Sequence, residues 1–165
     1  MLFFHLPAML LALLPVVAAE FYVAYRHYGI EKKKALKGVA IANCCSTLLG
    51  FPLFWLLWVF IEAITAGGAL GLEGIWRKVY AVTVQSAWLI PYEGDLGWMI
   101  PIAGLFMLVP AFFVSVYVER WFLRVLWADK DTRSVASFSW RAHFVSYPVL
   151  IAVWLAYVLI SLRKM

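Results

Sequence analysis

Two polar blocks interrupt the long apolar runs of this sequence, and they are where chemistry could occur. One comprises Glu20, Asn43 and Ser46, the other Glu119, His143 and Ser146. Carboxylates and an imidazole can take up and release protons, while an amide and hydroxyls can hold such groups in place by hydrogen bonds. The blocks are also alike. Glu119 follows Glu20 at an interval of 99 residues, and Ala142, His143 and Ser146 follow Ala42, Asn43 and Ser46 at 100, so one additional loop residue brings them into register. An aromatic pair stands shortly after each glutamate, Phe21-Tyr22 and Trp121-Phe122. We read the pattern as two repeated helical hairpins, each supplying one glutamate and one polar helix edge.

The elements that carry these residues must lie in lipid. The chain of 165 residues is 65% hydrophobic and only 14% charged, with a mean hydropathy of +0.89, whereas soluble domains carry about 25% charged residues. Its apolar residues form four blocks, at 6–25, 39–64, 98–118 and 142–162. Each is near the roughly 20 residues that cross a hydrocarbon core of about 30 Å. The expected fold is all-α, a polytopic transmembrane four-helix bundle forming one integral membrane domain over residues 1–165. The formal net charge of +5 then bears on topology and on the lipid bilayer as partner, and nucleic acid is not expected. The first block imitates a secretory signal, with Val17-Ala18-Ala19 before Glu20. No Lys or Arg precedes it, and it stays apolar through Tyr25, so residues 1–19 are read as part of a retained helix.

The connections set the topology. Loop 26–38 carries Arg26, Lys32, Lys33, Lys34 and Lys37 against Glu31, a net of +4. Loop 119–141, beyond Glu119 itself, sets Arg120, Arg124, Lys130, Arg133 and Arg141 against Asp129 and Asp131, a net of +3. Loop 66–97 sets Arg77 and Lys78 against Glu73, Glu93 and Asp95, a net of −1. Positive loops stay in the cytoplasm. That places 26–38 and 119–141 inside and loop 66–97 and both termini outside, with a bacterial inner membrane as the expected location. In the outer loop Ile75, Trp76, Val79, Tyr80, Thr83, Val84 and Ala87 recur at helical spacing, predicting a short interfacial helix.

With this topology the six polar residues share one depth. Residues i and i+3 lie on one helix face, and ionisable groups within a span face the bundle interior and pair there. Glu20, Asn43, Glu119 and His143 are therefore expected to converge about two helical turns inside the cytoplasmic surface. Such a cluster can be a working site, or it can be packing adhesive worth about 0.6 kcal/mol per hydrogen bond. Either carboxylate could also snorkel toward Arg26 or Arg120.

Ala42, Ser46 and Gly50, at i, i+4 and i+8, form a doubled small-xxx-small face for close helix approach, within this chain or to a neighbouring subunit. Cys44 and Cys45 are adjacent and imply no disulfide framework. No HExxH, P-loop or GxSxG pattern occurs. No catalytic residue, metal or cofactor is assigned, although Glu20, Glu119 and His143 are chemically able to hold a metal. These features favour a structural or accessory component, not an enzyme, that packs as a homo-oligomer or within a larger membrane complex. The alternative is a small oligomeric proton-coupled transporter, with Glu20 and Glu119 titrating and Asn43 and His143 as their partners. A second alternative, a membrane-embedded enzyme acting on lipid, has only the Glu-His cluster behind it.

Overall fold

The computed structural model describes residues 2–64, 74–75, 83 and 96–163. Among the described residues there are no strands and four long helices: α1 (Leu2–Tyr28), α2 (Lys32–Ile64), α3 (Leu96–Leu126) and α4 (Thr132–Leu162). Each is long and apolar enough to cross a membrane, as befits an integral membrane protein. The interfacial helix expected within 66–97 falls outside the described residues except at isolated positions.

The helices overrun the apolar blocks that announce them. α2 has 33 residues, about 50 Å at 1.5 Å per residue, against a hydrocarbon core of about 30 Å. Loops 26–38 and 119–141 are consequently mostly helix, and non-helical backbone is confined to 29–31 and 127–131. Hydropathy marks the part of a helix that suits lipid. Backbone hydrogen bonding continues past it, because Lys and Arg are good helix formers. The stop signals are local. Gly29 adopts a φ of +57°, the left-handed conformation that ends a helix, and the buried Ile30 donates its N–H to the Ala24 carbonyl at 3.3 Å. Asp131 caps α4, its carboxylate accepting from the backbone N–H groups of Arg133 at 2.6 Å and Ser134 at 3.2 Å. Pro52, Pro101, Pro110 and Pro148 lie inside helices without ending them, as membrane helices permit.

The helices pack in the ring order α1, α2, α3, α4, each against both neighbours, and α1 barely meets α3 across the diagonal. The end that carries the short connections holds a cluster of buried apolar side chains. Val23, Ala24, Val39, Leu123, Trp127 and Phe138 fill it. Trp127 lies directly on Gly38, where a Cβ would come within 2.8 Å of the indole. The Tyr28 ring meets Phe138 edge to face at 5.4 Å, and Lys34 pairs with Asp129 to tie the two connections together. Large apolar side chains such as Leu14, Leu48, Val109 and Leu159 point outward while polar ones are buried, the reverse of a water-soluble surface pattern.

The interior follows one register twice. The buried residues of α2 are Ala35, Gly38, Val39, Ala42, Asn43, Ser46, Phe54 and Trp58. Those of α4 are Val135, Phe138, Ser139, Ala142, His143, Ser146, Trp154 and Val158, each 100 places on from its counterpart.

Candidate functional site in the bundle interior

Each helix delivers its polar residue to the same level. Glu20 lies eight residues, roughly 12 Å, before the end of α1, and His143 eleven residues, roughly 16 Å, after the start of α4. Asn43 and Ser46 share one face of α2, and His143 and Ser146 share the matching face of α4. Ala42 and Ala142, both fully buried, let these faces approach their neighbours without steric obstruction. The six residues singled out by type and spacing meet in one cluster, in which Glu20 is 1% exposed and Glu119 2%.

The serine–glutamate bonds run between hairpins rather than within them. Ser46 Oγ on the first hairpin lies 2.7 Å from Glu119 Oε1 on the second. Ser146 Oγ on the second donates to Glu20 Oε1 on the first at 2.8 Å. Ser46 Oγ is also 3.0 Å from the Asn43 carbonyl, but its single proton serves the closer acceptor, Glu119. Asn43 Nδ2 donates to Glu20 Oε2 at 2.7 Å and to the Val39 carbonyl at 3.1 Å, and it lies 3.4 Å from Glu119 Oε2, so one amide nitrogen stands within reach of both carboxylates.

His143 stands where the first hairpin has Asn43, and it breaks the equivalence. Its Nδ1 is 2.8 Å from the Ser139 carbonyl, an acceptor only, so Nδ1 carries a hydrogen. Nε2 then faces Glu119 Oε1 at 3.5 Å, and Nδ1 is 3.9 Å from Glu20 Oε1. Phe112 meets the imidazole edge to face at 5.9 Å, and Tyr147 stacks on it at 5.7 Å.

Charge decides what this arrangement can do. Two carboxylates sit beside one imidazole, and among the described residues no Lys or Arg bonds to either. An ionised group in such surroundings must be neutralised by a partner. An imidazolium offsets one negative charge, which leaves room for one further positive charge. A proton on one carboxyl supplies it, and another cation could take its place. Glu20, Glu119 and His143 also place one donor atom each within 4.8 Å of one another, close enough to hold a single metal ion.

The cluster forms the polar head of an interior cavity of about 130 Å³. Leu13, Phe51, Phe54, Met107, Leu150 and Trp154 are among the residues that wall the remainder. On α1 the cavity runs from Glu20 back to Met9 and on α4 from His143 to Trp154, eleven residues or roughly 16 Å along each helix. Gly50 lies on the same face as Ser46 and Phe54 and has no atom within 4 Å of where its Cβ would be. Gly104 is the opposite case, with the Trp154 ring 2.8 Å from its would-be Cβ.

Several contributors to the site escape a reading of residue types and spacing. Ser139 anchors α4 to α3 by donating to the Val116 carbonyl at 2.8 Å and orients His143 through its own carbonyl. Tyr147 reaches Ser115 at 3.4 Å. Both Ser139 and Tyr147 lie four residues from His143, a one-turn spacing that could have found them. The cavity had no sequence signal apart from Gly50. Comparisons with protein-family models, curated proteins and solved structures found no match to this chain.

Proposed function

We propose that this chain is a small proton-coupled carrier, with Glu20 and Glu119 as its exchangeable proton site and Asn43 and His143 as the groups that hold it. The observation that carries this reading is the pair of buried carboxylates, bonded to no Lys or Arg among the described residues, at the head of an apolar cavity. Buried ion pairs are weak stabilisers compared with well-packed apolar residues, so adhesion alone gives little reason for two carboxylates here. A site that must change its cation does.

Two hairpins suit the work of alternating access, since each glutamate is held by the opposite hairpin's serine. Exchanging the cation alters the bonds that join the halves. The one-for-one register of α2 and α4 supports an internal duplication of the hairpin about an axis along the membrane normal. We place the short connections on the cytoplasmic side, from the positive charge of 26–38 and 119–141, and an interfacial helix in the outer loop.

The accessory reading drew on the Ala42, Ser46 and Gly50 face. Ala42 and Ser46 are buried against the chain's own helices, and Gly50 borders its own cavity, so this face offers little to a neighbouring subunit.

The test is exchange in proteoliposomes that enclose a pH dye. With an acid interior and a panel of organic solutes graded by charge outside, the wild type is expected to expel protons when a transported solute enters. The Glu20→Gln/Glu119→Gln variant should lose the exchange and keep its helical content. A variant that melts lower while its exchange persists would return the cluster to a packing role.

A further inference from the structure

We infer that the solute exchanged for the proton is a small organic cation with an apolar body, such as a protonated primary amine. Its ammonium would lie between Glu20 and Glu119 and its body in the cavity that leads away from them. This rests on the carrier reading above and names its substrate class.

Charge and shape point the same way. The cluster can balance one positive charge beyond the imidazolium. An ammonium that replaces the carboxyl proton leaves the net charge of the site unchanged and puts one proton into the medium for each cation bound. The carboxylates have acceptor capacity for it: each offers about four lone-pair sites, and Asn43, Ser46 and Ser146 use only part of them. Among the described residues no Lys or Arg lines the cavity, and the one imidazole there already faces two carboxylates, so a carboxylate or phosphate ligand would add a third negative charge with no counter-charge of its own.

The walls then select for an apolar body. A volume of about 130 Å³ is close to the roughly 150 Å³ of an apolar cavity that accepts benzene. A bare divalent metal could satisfy the three donor atoms, but it would leave the apolar space unexplained and would have to shed its water along walls such as Leu13 and Phe54. Gly50 sets the free width beside the carboxylates, because any side chain there grows into open space.

The experiment uses the full chain in lipid nanodiscs, titrated calorimetrically in two buffers that differ in ionisation enthalpy. The probes are benzylammonium, benzyl alcohol, benzoate and Zn²⁺, with empty nanodiscs as the blank. Benzylammonium is expected to bind saturably, to release one proton, and to bind about tenfold tighter than benzyl alcohol because its hydrogen bonds are charge-assisted. Benzoate should not bind. The series Gly50→Ala, Gly50→Val and Gly50→Leu should weaken benzylammonium progressively, by about tenfold at leucine, while melting falls in none of them below the wild type and the pH titration of the carboxyl infrared band stays as in the wild type.

Benzyl alcohol binding as tightly as benzylammonium would overturn the inference, and so would proton release by Zn²⁺ with no binding of the amine. A carboxyl band that fails to titrate in the wild type would instead overturn the carrier reading, through a separate readout.

Discussion

The cross-hairpin pairing of serines and glutamates makes a demand that a generic polar cluster does not. Ser46 lies 2.7 Å from Glu119 and Ser146 lies 2.8 Å from Glu20, whereas neither serine bonds to the glutamate of its own hairpin among the described residues. Double-mutant cycles with Ser→Ala and Glu→Gln therefore have four pairs to compare. Hydrogen bonds between membrane helices average about 0.6 kcal/mol, with a maximum near 1.7, and bonds to charged groups are worth about 1.5–3 kcal/mol. The two cross-hairpin cycles should give coupling energies of about 1–2 kcal/mol, similar to each other since the two distances differ by little. Ser46 with Glu20 and Ser146 with Glu119 should couple clearly less. The assay is reversible unfolding in mixed micelles, followed by the change in helical signal. Coupling confined to the within-hairpin pairs, or equal in all four, would refute the arrangement and with it the idea that cation exchange loosens one hairpin from the other.

Two further expectations concern the packing and the connection end. Gly38→Ala and Gly50→Ala are the same change in the same helix, and both gain about 1 kcal/mol of helix propensity. At Gly38 the new methyl runs into the buried Trp127, an overpacking cost of about 1–3 kcal/mol, so Gly50→Ala should be the more stable variant by that difference; equal stability would show that Trp127 yields freely. Asp129 and Asp131 are held below the ordinary aspartate value of 3.8, by the hydrogen bond from Lys34 in the first case and chiefly by that from Ser134 in the second. Their contribution is complete above pH 3.8 and is lost as pH falls through the depressed values. Melting in detergent should therefore show an acid-sensitive component below about pH 4 that Asp131→Asn diminishes, and an Asp131→Asn protein with unchanged acid sensitivity would remove Asp131 from that component.

Much of the site was legible because lipid penalises polarity so heavily. In a span such as 6–25 a lone Glu20 stands out, and the solvent that excludes it also dictates that it faces its own bundle. The interval of 100 residues brought Asn43 and His143 to corresponding places before any geometry was known. What stayed hidden depends on three-dimensional shape. Nothing in the sequence separates Gly38, pressed by Trp127, from Gly50, facing open space. The serine pairing across hairpins depends on which helices become neighbours in the ring, which residue types do not state. Hydropathy shows where a helix leaves lipid, and not where its backbone bonding ends. Lys32, Lys33, Lys34 and Lys37 lie within the first turns of α2, and the real terminators are Gly29 and Asp131.

The most direct test of the proton site is pH-dependent infrared difference spectroscopy of the full chain in lipid, reading the carboxyl C=O band with isotopically labelled glutamate. A glutamic acid band that disappears as pH rises in the wild type, and that is missing from Glu20→Gln/Glu119→Gln while the amide bands of the helices persist, is the expected result. A band that survives in the double variant, or no titrating glutamic acid in the wild type, would contradict an exchangeable proton on this pair.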